Sequence, residues 1–319
     1  MKRIGVLTSG GDAPGMNAAI RAVVRTAIAL GMEVKGIRRG YNGLIEGEAI
    51  DLDARSVSDI INHGGTMLYT ARSPMFKTEE GILKAVENCK KLGIEGIVVV
   101  GGDGSFRGAR DLSLHGVPCV GIPATIDNDI ACTDYSIGFD TAMNTVVELV
   151  DKIRDTAESH DRCSVVEVMG RRAGHIALRT GIAVGATSIL VPEKEVNIDK
   201  IIKKINDTKL LGKKHFIVMV AEGVGGVYEM AKTLQDGTGI ETRATILGHV
   251  QRGGNPTLRD RLIATQFGYE AVQLLYQGIG NRVVAYRDSK VVNYDIYEAL
   301  NMHKSIDEHM NEIANVTSI

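Results

Sequence analysis

The sequence predicts an α/β protein whose largely parallel sheets lie between layers of helices, as a three-layer αβα sandwich. Apolar runs of four or five residues recur along the chain, at 4–7, 97–100, 119–122, 165–168 and 217–221, and Glu167 is the one charged residue within them. Unbroken apolar character is typical of parallel strands buried on both faces, whereas half-exposed strands alternate. Segments with helical spacing separate these runs, which is the order that a helix-covered parallel sheet requires.

The elements follow in a repeated order of strand, glycine-rich turn and helix. The run at 4–7 leads into the turn at 8–15, after which apolar residues recur at helical spacing from Ile20 to Ile28. Turns rich in glycine also follow the runs that end at 100, 168 and 221. Further helices are predicted over 139–160 and 260–275, and a hairpin over 282–293 around Asp288 and Ser289.

Composition narrows the class of protein. The 319 residues are 44% hydrophobic and 24% charged with a formal net charge of -2, which is ordinary for a globular protein and implies no broad surface for nucleic acid. The chain begins directly with a predicted strand and has no apolar segment of membrane-spanning length, so we expect a cytoplasmic protein without a membrane partner. Four widely spaced cysteines predict reduced structural thiols rather than a zinc or dithiol site.

Two aspartates one residue apart follow the apolar run that ends at Ile122. Asp127, Asn128 and Asp129 can be interpreted simply as a solvated turn, because Asp and Asn are common loop residues. The alternative is a site that needs two carboxylates near a metal ion or near a proton that is to be removed. The fragment alone leaves both interpretations open.

Two glycine-rich turns could hold phosphate. The segments 10–12 and 101–105 place small residues between a strand and a helix, where backbone N–H groups and the helix dipole attract an anion. Neither segment fits the P-loop or the dinucleotide fingerprint, and each could be only a tight turn. A carboxylate at Asp103 beside such a cradle would require a cation such as Mg2+. Arg72, Arg171 and His249 are further candidates for phosphate contacts, although loop arginines are usually solvated and His249 could be structural.

Three motifs together resemble the bacterial ATP-dependent 6-phosphofructokinase family. They are GGDGS at 101–105, TIDND at 125–129 and GHVQRGG at 248–254, with Gly11, Arg72, Glu222 and the segment 169–171 in support. The resemblance runs through the whole chain. It implies transfer of the γ-phosphoryl group of MgATP to the 1-hydroxyl of fructose 6-phosphate, giving fructose 1,6-bisphosphate and ADP.

The resemblance also implies two similar domains with the active site in the cleft between them. The larger, ATP-binding domain would comprise residues 1–138 and 251–305. The smaller, fructose-6-phosphate-binding domain would comprise residues 139–250 and 306–319.

The resemblance assigns the catalytic roles. Asp127 would be the general base, and Asp129 would orient the metal-nucleotide and raise the basicity of Asp127. Asp103 would hold Mg2+ directly or through water. The groups that meet or stabilise the transferring phosphoryl group would be Thr125, Arg72 and Arg171.

The same resemblance implies the substrate-binding residues. The ATP-binding set would be Gly11, Arg72, Ser73, Gly102, Asp103, Gly104 and Ser105. The set that binds fructose 6-phosphate within one chain would be Thr125, Asp127, Met169, Gly170, Arg171, Glu222, His249 and Arg252. Arg162 and Arg243 would reach the sugar phosphate from a neighbouring subunit, so the resemblance implies a homotetramer. Gly104 and Ala124 favour ATP over pyrophosphate, although Ala124 replaces the usual glycine and could lower donor affinity.

An effector site for ADP or phosphoenolpyruvate is implied as well. Its seven matching residues are Arg21, Arg25, Asp59, Arg154, Gly185, Lys213 and His215. Three other family positions differ, at Ala54, Thr187 and Leu211. The missing acid at Thr187 is expected to weaken activation by Mg-ADP more than it weakens inhibition by phosphoenolpyruvate, which needs no metal.

Two other functions compete with this one. A related kinase could use another acceptor, such as NAD or a different phosphorylated sugar. Arg162, Arg243, His249 and Arg252 favour a small phosphorylated substrate. A non-catalytic sugar-phosphate sensor would be expected to lack the base or the metal carboxylate, yet the sequence retains all of these aspartates.

Overall fold

The computed structural model describes residues 1–318, which divide into two compact units. Unit 1 comprises 1–126, 130–141 and 252–304, and unit 2 comprises 127–129, 142–251 and 305 onwards. The short segment 127–129 groups with unit 2, which the sequence did not indicate.

The described residues form eleven strands and eleven α-helices. The strands are β1 (Arg3–Ser9), β2 (Glu33–Ile37), β3 (Ala49–Leu52), β4 (Gly96–Gly101), β5 (Cys119–Pro123), β6 (Cys163–Val168), β7 (Ser188–Leu190), β8 (Phe216–Ala221), β9 (Thr242–Ile246), β10 (Arg282–Arg287) and β11 (Lys290–Asp295). The helices are α1 (Met16–Ala29), α2 (Tyr41–Glu46), α3 (Glu79–Lys91), α4 (Asp103–Leu114), α5 (Phe139–Ser159), α6 (His175–Ala183), α7 (Ile198–Leu210), α8 (Val227–Thr238), α9 (Leu258–Tyr276), α10 (Ile296–Asn301) and α11 (Glu308–Thr317).

Unit 1 is built on a seven-stranded sheet with the order β11-β10-β5-β4-β1-β2-β3. The five strands from β10 to β2 pair in parallel, and the edge strands β3 and β11 pair antiparallel to their neighbours. The chain builds outward from β1 in one direction through β2 and in the other through β4. The carboxyl ends of β1 and β4 therefore form a topological switch point, the place where open α/β sheets bind ligands.

Unit 2 contains a four-stranded, fully parallel sheet with the order β7-β8-β6-β9. The central strand β8 is buried at all six positions, and β6 is buried at five of its six. Burial on both faces explains why these strands are apolar without alternation. A mainly aliphatic core that includes Phe216 lies between this sheet and helices α7 and α8.

The predicted elements are confirmed. All five apolar runs are parallel strands, and the helices predicted over 139–160 and 260–275 correspond to α5 and α9. The predicted hairpin is β10 and β11, which turn through Asp288 and Ser289 at φ of 48° and 63°. Two consecutive positive φ values are typical of the tight turns that match the twist of a hairpin.

Helix beginnings fall into two groups. Helices α3, α7, α9, α10 and α11 begin at Thr or Asn or Asp residues whose side chains accept a hydrogen bond from the first turn. Helices α1, α2, α4, α6 and α8 instead begin after glycines, at Gly15, Gly40, Gly102, Gly174 and Gly226, with no side-chain cap. The uncapped helices α1, α4, α6 and α8 follow the carboxyl ends of β1, β4, β6 and β8, where their N–H groups can meet a ligand.

All four cysteines are buried free thiols, and burial raises the pKa of each one. This confirms the prediction of reduced structural thiols. Within residues 1–318, no helix is both long enough and apolar enough to cross a membrane.

Candidate active site

The turn after β1 is shaped by an arginine from a distant part of the chain. Gly11 follows Gly10, which has φ of 91°. A Cβ atom built on Gly11 would lie 2.6 Å from Nη1 of Arg252, and that nitrogen donates a hydrogen bond to the Asp12 carbonyl at 3.2 Å. A side chain at Gly11 would displace the guanidinium end of Arg252. Gly11 and Arg252, predicted from sequence to serve different substrates, are therefore in direct contact.

The turn after β4 leaves open space in front of a helix N-terminus. Gly101 must be glycine, because a Cβ atom there would lie 2.5 Å from both the Ser9 carbonyl and the Ser105 hydroxyl. Cβ atoms built on Gly102 and Gly104 would meet nothing within 4 Å. Ser105 is buried and donates to the Ser9 carbonyl at 3.0 Å, so its hydroxyl joins the turns after β1 and β4. The exposed N-terminus of α4 can accept an anion such as a phosphate.

Asp103 is the first residue of α4, and its carboxylate pairs with Arg107 one turn later at 3.0 Å. Residues 1–318 contain no cluster of three His, Cys, Asp or Glu side chains that could enclose a metal ion. A single partly exposed carboxylate fits Mg2+, which proteins usually hold by one or two carboxylates while substrate phosphates and water complete the shell. It does not fit a tightly enclosed ion.

Arg72 and Ser73 lie in the loop before α3. The Arg72 side chain is exposed, and its carbonyl accepts a hydrogen bond from the Asn42 amide. The Ser73 hydroxyl accepts from the Phe76 N–H at 3.2 Å, so it also stabilises its own loop.

The aspartate pair forms a turn rather than a strand. Asn128, between the two, has φ of 50°, and this left-handed residue breaks any strand-like alternation of Asp127 and Asp129. Asp127 is only 2% exposed, and Asp129 is less buried. Just before the turn, the Thr125 carbonyl accepts a hydrogen bond from Ser136 at 2.7 Å. The turn is therefore formed, as the simple interpretation predicts, but it buries a carboxylate instead of solvating it.

In unit 2, the loops after β6 and β8 hold each other. The Arg171 N–H donates to a carboxylate oxygen of Glu222, and the Glu222 N–H donates to the Val168 carbonyl at 2.8 Å. Gly170 has φ of 142° and Arg171 has φ of 56°, so the loop bends sharply. The exposed Arg171 guanidinium lies 3.8 Å from the Asp129 carboxylate. The structure thus brings together two residues that the sequence assigned to phosphoryl transfer.

A second carboxylate, which sequence reasoning missed, lies near Glu222. Glu167 is on β6, and burial together with the charge of Glu222 raises the pKa of Glu167 above its ordinary value. Its strand position inside an apolar run is the signal that could have revealed it.

His249 and Gln251 belong to the 3-10 turn Gly248–Arg252 that follows β9. His249 is exposed, whereas Gln251 is completely buried. The Gln251 side chain accepts a hydrogen bond from the Met169 N–H at 3.1 Å and donates one to the Gly248 carbonyl at 3.0 Å. Gln251 is part of a motif quoted from the sequence, but nothing in the sequence assigned it a role.

Arg162 and Arg243 lie at the end of the unit 2 sheet that is opposite to the loops after β6 and β8. They flank the amino ends of the parallel strands β6 and β9, and the Glu241 carboxylate pairs with Arg162 at 2.8 Å and with Arg243 at 2.9 Å. Pairing with these two arginines, Arg162 first, lowers the pKa of Glu241. Met169 is at the carboxyl end of β6, about 20 Å away at the rise of an extended strand. These two arginines are therefore not brought together with Met169 and His249 within one chain.

The predicted effector residues fall into two groups. In unit 1, Arg21 and Arg25 are neighbours on α1, where burial and then the charge of Arg25 lower the pKa of Arg21. Asp59 is exposed in the same unit with φ of 58°. In unit 2, burial and then the charge of Arg154 lower the pKa of Lys213. Within each unit, the cations of the predicted effector set therefore lie near one another.

The remaining unit 2 effector residues lie near the same cations. The Arg154 guanidinium donates to the Val184 carbonyl, next to the exposed Gly185 at φ of 60°. His215 is half-buried and immediately precedes β8.

The positions that depart from the family pattern differ in exposure. Ala124 and Thr187 are each 1% exposed, so neither offers a side chain to solvent. Ala54 is exposed, and so is Leu211.

Comparison with known proteins gives consistent matches along the chain. A family model described as Phosphofructokinase matches residues 3–275. The ATP-dependent 6-phosphofructokinase of Clostridium botulinum is 58% identical over 318 residues, and that of Bacillus velezensis is 56% identical over 319, with 100% of both chains covered in each case. The solved phosphofructokinase of Saccharomyces cerevisiae superposes with a TM-score of 0.87 at 34% identity, covering 100% of this chain and 48% of the yeast chain.

Proposed function

Because the chain belongs to the phosphofructokinase family, we propose that it is an ATP-dependent 6-phosphofructokinase. It transfers the γ-phosphoryl group of ATP to the 1-hydroxyl of fructose 6-phosphate and releases ADP. The observation that carries this proposal is the carboxyl edge of the unit 1 sheet. There, two uncapped, glycine-led helices begin beside adjacent strands, with one partly exposed carboxylate at Asp103.

Unit 1 supplies the nucleotide-binding residues. The open space beside Gly102 and Gly104 accommodates phosphate oxygens, which accept hydrogen bonds from the N-terminus of α4. Gly11 and Ser73 line the nucleotide, and the exposed Arg72 reaches the phosphates and stabilises negative charge as it develops. Asp103 holds Mg2+ directly or through water. When bound, Mg2+ supplies neutralisation of phosphate charge during transfer.

Asp127 and Asp129 take different roles because their surroundings differ. The buried Asp127 accepts the proton of the attacking 1-hydroxyl. Asp129, beside the Arg171 guanidinium, orients the metal-nucleotide while Arg171 and Thr125 contact the transferring phosphoryl group. A hydroxyl is a weak nucleophile at neutral pH, so a positioned carboxylate base and cations on the phosphoryl group lower the barrier together.

Fructose 6-phosphate is bound by residues of more than one subunit. Met169, Gly170 and Glu222 contact the sugar, and His249 and Arg252 contact its phosphate. Arg162 and Arg243 lie at the other edge of the sheet, so they bind the phosphate of a sugar held by a neighbouring chain. A homotetramer, in which each site borrows two arginines, satisfies this requirement.

Regulation by ADP and phosphoenolpyruvate follows from the two cationic groups. Arg21 and Arg25 with Asp59 form one group, and Arg154 with Lys213 forms the other. Gly185 and His215 complete the effector set. The absence of an acid at position 187 weakens activation by Mg-ADP more than it weakens inhibition by phosphoenolpyruvate. The substrates and product of the proposed reaction belong to glycolysis, so we expect the enzyme to act in the cytoplasm.

The test measures ADP release from MgATP with and without fructose 6-phosphate and identifies the sugar product by mass. We expect ADP release to depend on fructose 6-phosphate and to yield fructose 1,6-bisphosphate in equal amount. Parallel assays with NAD and with other phosphorylated sugars test the related-kinase alternative. Preferential ADP release with one of those acceptors would overturn the assignment, and tight binding without turnover would indicate a sensor.

A further inference from the structure

Gln251 is a buried polar side chain with an unusual position. It is the one buried residue of a short 3-10 turn whose preceding residues, His249 and Val250, are exposed. Its amide makes two hydrogen bonds to the main chain, one from the Met169 N–H and one to the Gly248 carbonyl. A buried amide with both ends satisfied is expensive to replace, because any apolar substitute leaves main-chain groups without partners.

The bond to Met169 extends a strand pairing that the main chain alone ends. The parallel pairing of β6 with β9 stops at Glu167 and Ile246, after which the Leu247 N–H still donates to the Glu167 carbonyl at 3.1 Å. Beyond this point β9 gives way to the 3-10 turn. The Gln251 carboxamide oxygen then accepts from Met169, so the side chain continues the ladder past the end of β9.

The bond to Gly248 fixes the other end of the turn. Gly248 has φ of 58°, a left-handed conformation that starts the 3-10 turn. The Gln251 amide nitrogen donates to its carbonyl across three residues at 3.0 Å. The orientation of the amide is set by its partners, because a main-chain N–H can only donate and a carbonyl can only accept. The single side chain therefore ties the residue after β6 to the turn after β9.

We infer that Gln251 is a positioning residue for the acceptor sugar phosphate, an inference that rests on the proposed function. Gln251 holds Met169, which contacts the sugar, at a fixed distance from His249, which contacts the phosphate. The His249 side chain is exposed, so its placement depends on the main chain of the turn. Small errors in the placement of binding groups cost large factors in rate.

Only glutamine meets the hydrogen-bonding requirements of position 251. The site needs one acceptor and one donor at the end of an unbranched side chain, which an amide provides. Asparagine is one methylene too short to span both partners, and an ionised glutamate cannot donate to the Gly248 carbonyl. Methionine matches the length of glutamine but offers neither group.

The test compares Gln251→Met with Gln235→Met. Gln235 also accepts a hydrogen bond from a main-chain N–H of unit 2, that of Thr242 at 3.0 Å, but at the amino end of β9. We expect Gln251→Met to raise the KM for fructose 6-phosphate about tenfold and to change the KM for MgATP less than about twofold. Gln235→Met should leave both constants near the wild-type values. Thermal melts confirm that each variant is folded.

A second variant distinguishes a specific positioning role of Gln251 from a general loss of packing around this residue. In Gln251→Glu, the buried carboxylate faces a carbonyl oxygen, so its pKa is raised and it is protonated as the pH falls. The protonated acid can donate to Gly248 and restore the tie. We expect the ratio of its KM for fructose 6-phosphate to that of the wild type to fall between about pH 8 and about pH 6. This readout remains available if Gln251→Met does not fold.

Three results would contradict the positioning role of Gln251. They are a folded Gln251→Met variant with unchanged KM for fructose 6-phosphate, equal effects of Gln251→Met and Gln235→Met, or a ratio for Gln251→Glu that does not change with pH. Calorimetric binding of fructose 6-phosphate to the wild type separates this failure from that of the proposed function. If the wild type neither binds nor phosphorylates the sugar, the proposed function fails and the role of Gln251 fails with it.

Discussion

The Arg252 guanidinium occupies the space that a side chain at Gly11 would need, since a Cβ atom there would be 2.6 Å from Nη1. This nitrogen also donates to the Asp12 carbonyl, so the turn after β1 and the Arg252 side chain hold each other in place. The proposed function assigns Gly11 to ATP and Arg252 to the sugar phosphate. Under that assignment, the contact couples the binding site for ATP to the binding site for the sugar phosphate.

Replacing Gly11 by alanine should impair both substrates at once. The added methyl group displaces the Arg252 guanidinium and removes its bond to Asp12. We expect Gly11→Ala to raise the KM values for MgATP and for fructose 6-phosphate by roughly tenfold each, about 1.4 kcal/mol. Steady-state kinetics with each substrate varied in turn would measure this. A rise in the KM for MgATP alone would show that Arg252 does not depend on Gly11.

Gly104→Ala should weaken the binding of MgATP while it increases the stability of the fold. A Cβ atom at Gly104 meets nothing within 4 Å, and the residue lies in the first turn of α4. Alanine in a helix is more favourable than glycine, so the free energy of unfolding should rise by up to about 0.5–1 kcal/mol. The methyl group would however occupy the space proposed for phosphate. The KM for MgATP should rise roughly tenfold while that for fructose 6-phosphate changes little.

Chemical denaturation and kinetics on the same Gly104→Ala preparation give both numbers. A more stable variant with an unchanged KM for MgATP would show that the nucleotide lies elsewhere.

Sharing of sites between subunits can be tested by mixing two defective chains. Asp127→Ser removes the proposed base, and Arg243→Ser removes an arginine that the proposal gives to the neighbouring site. In a mixed oligomer, an Arg243→Ser chain keeps its own Asp127 and receives Arg243 from an Asp127→Ser partner. Random co-assembly at equal amounts should restore about one quarter of the wild-type activity, assayed near the wild-type KM for fructose 6-phosphate.

Separately purified variants that are mixed without subunit exchange serve as the control. No recovery after co-assembly would mean that Arg243 acts within its own chain or not at all on the sugar phosphate.

His115 should give a small pH-dependent contribution to stability. It lies at the end of α4, where Nδ1 is 2.8 Å from the Asp111 carbonyl and Nε2 is 3.0 Å from the Glu79 carboxylate. The hydrogen bond to Asp111 and then that to Glu79 raise the pKa of His115 above 6.5. Because the folded-state pKa is raised, protonated His115 stabilises the fold, and this stabilisation is fully present at pH values below the ordinary pKa of histidine. This contribution is lost as the pH rises through the folded-state pKa.

Urea unfolding of wild type and His115→Gln measures this effect. The wild type should be more stable by about 0.5 kcal/mol at about pH 5.5, and the difference should disappear at about pH 8.5, because the ion pair is exposed. Glu79→Gln should reduce the same difference. A stability gap that is equal at both pH values would exclude the protonated histidine as its source.

The central strands could be predicted because burial on both faces leaves a clear trace in the sequence. β4 and β8 are buried along their whole length, and their unbroken apolar runs show it. The strands that were not predicted, such as β2 and β9, are partly exposed and carry Lys, Glu, Thr or Arg residues. Their strand conformation depends on pairing with β1 and β6, which a single segment cannot reveal.

The motifs identified the candidate site, but not how its parts are held. Glycine turns and paired aspartates are recognisable because few residues can replace them. Gln251 contacts Met169, and Glu241 pairs with both Arg162 and Arg243. Met169 and Arg162 are far from these partners in sequence, so no local pattern reveals the contacts. The left-handed Asn128 likewise follows from how the turn packs, and Asn is only one of several residues that tolerate this conformation.

The most direct test of the proposed function is the turnover of Asp127→Ser at saturating MgATP and fructose 6-phosphate. We expect kcat to fall by about three orders of magnitude or more, while both substrates still bind, because the serine cannot accept the proton of the sugar hydroxyl. A variant that binds both substrates and keeps more than about a tenth of the wild-type kcat would contradict the role of Asp127 as the base.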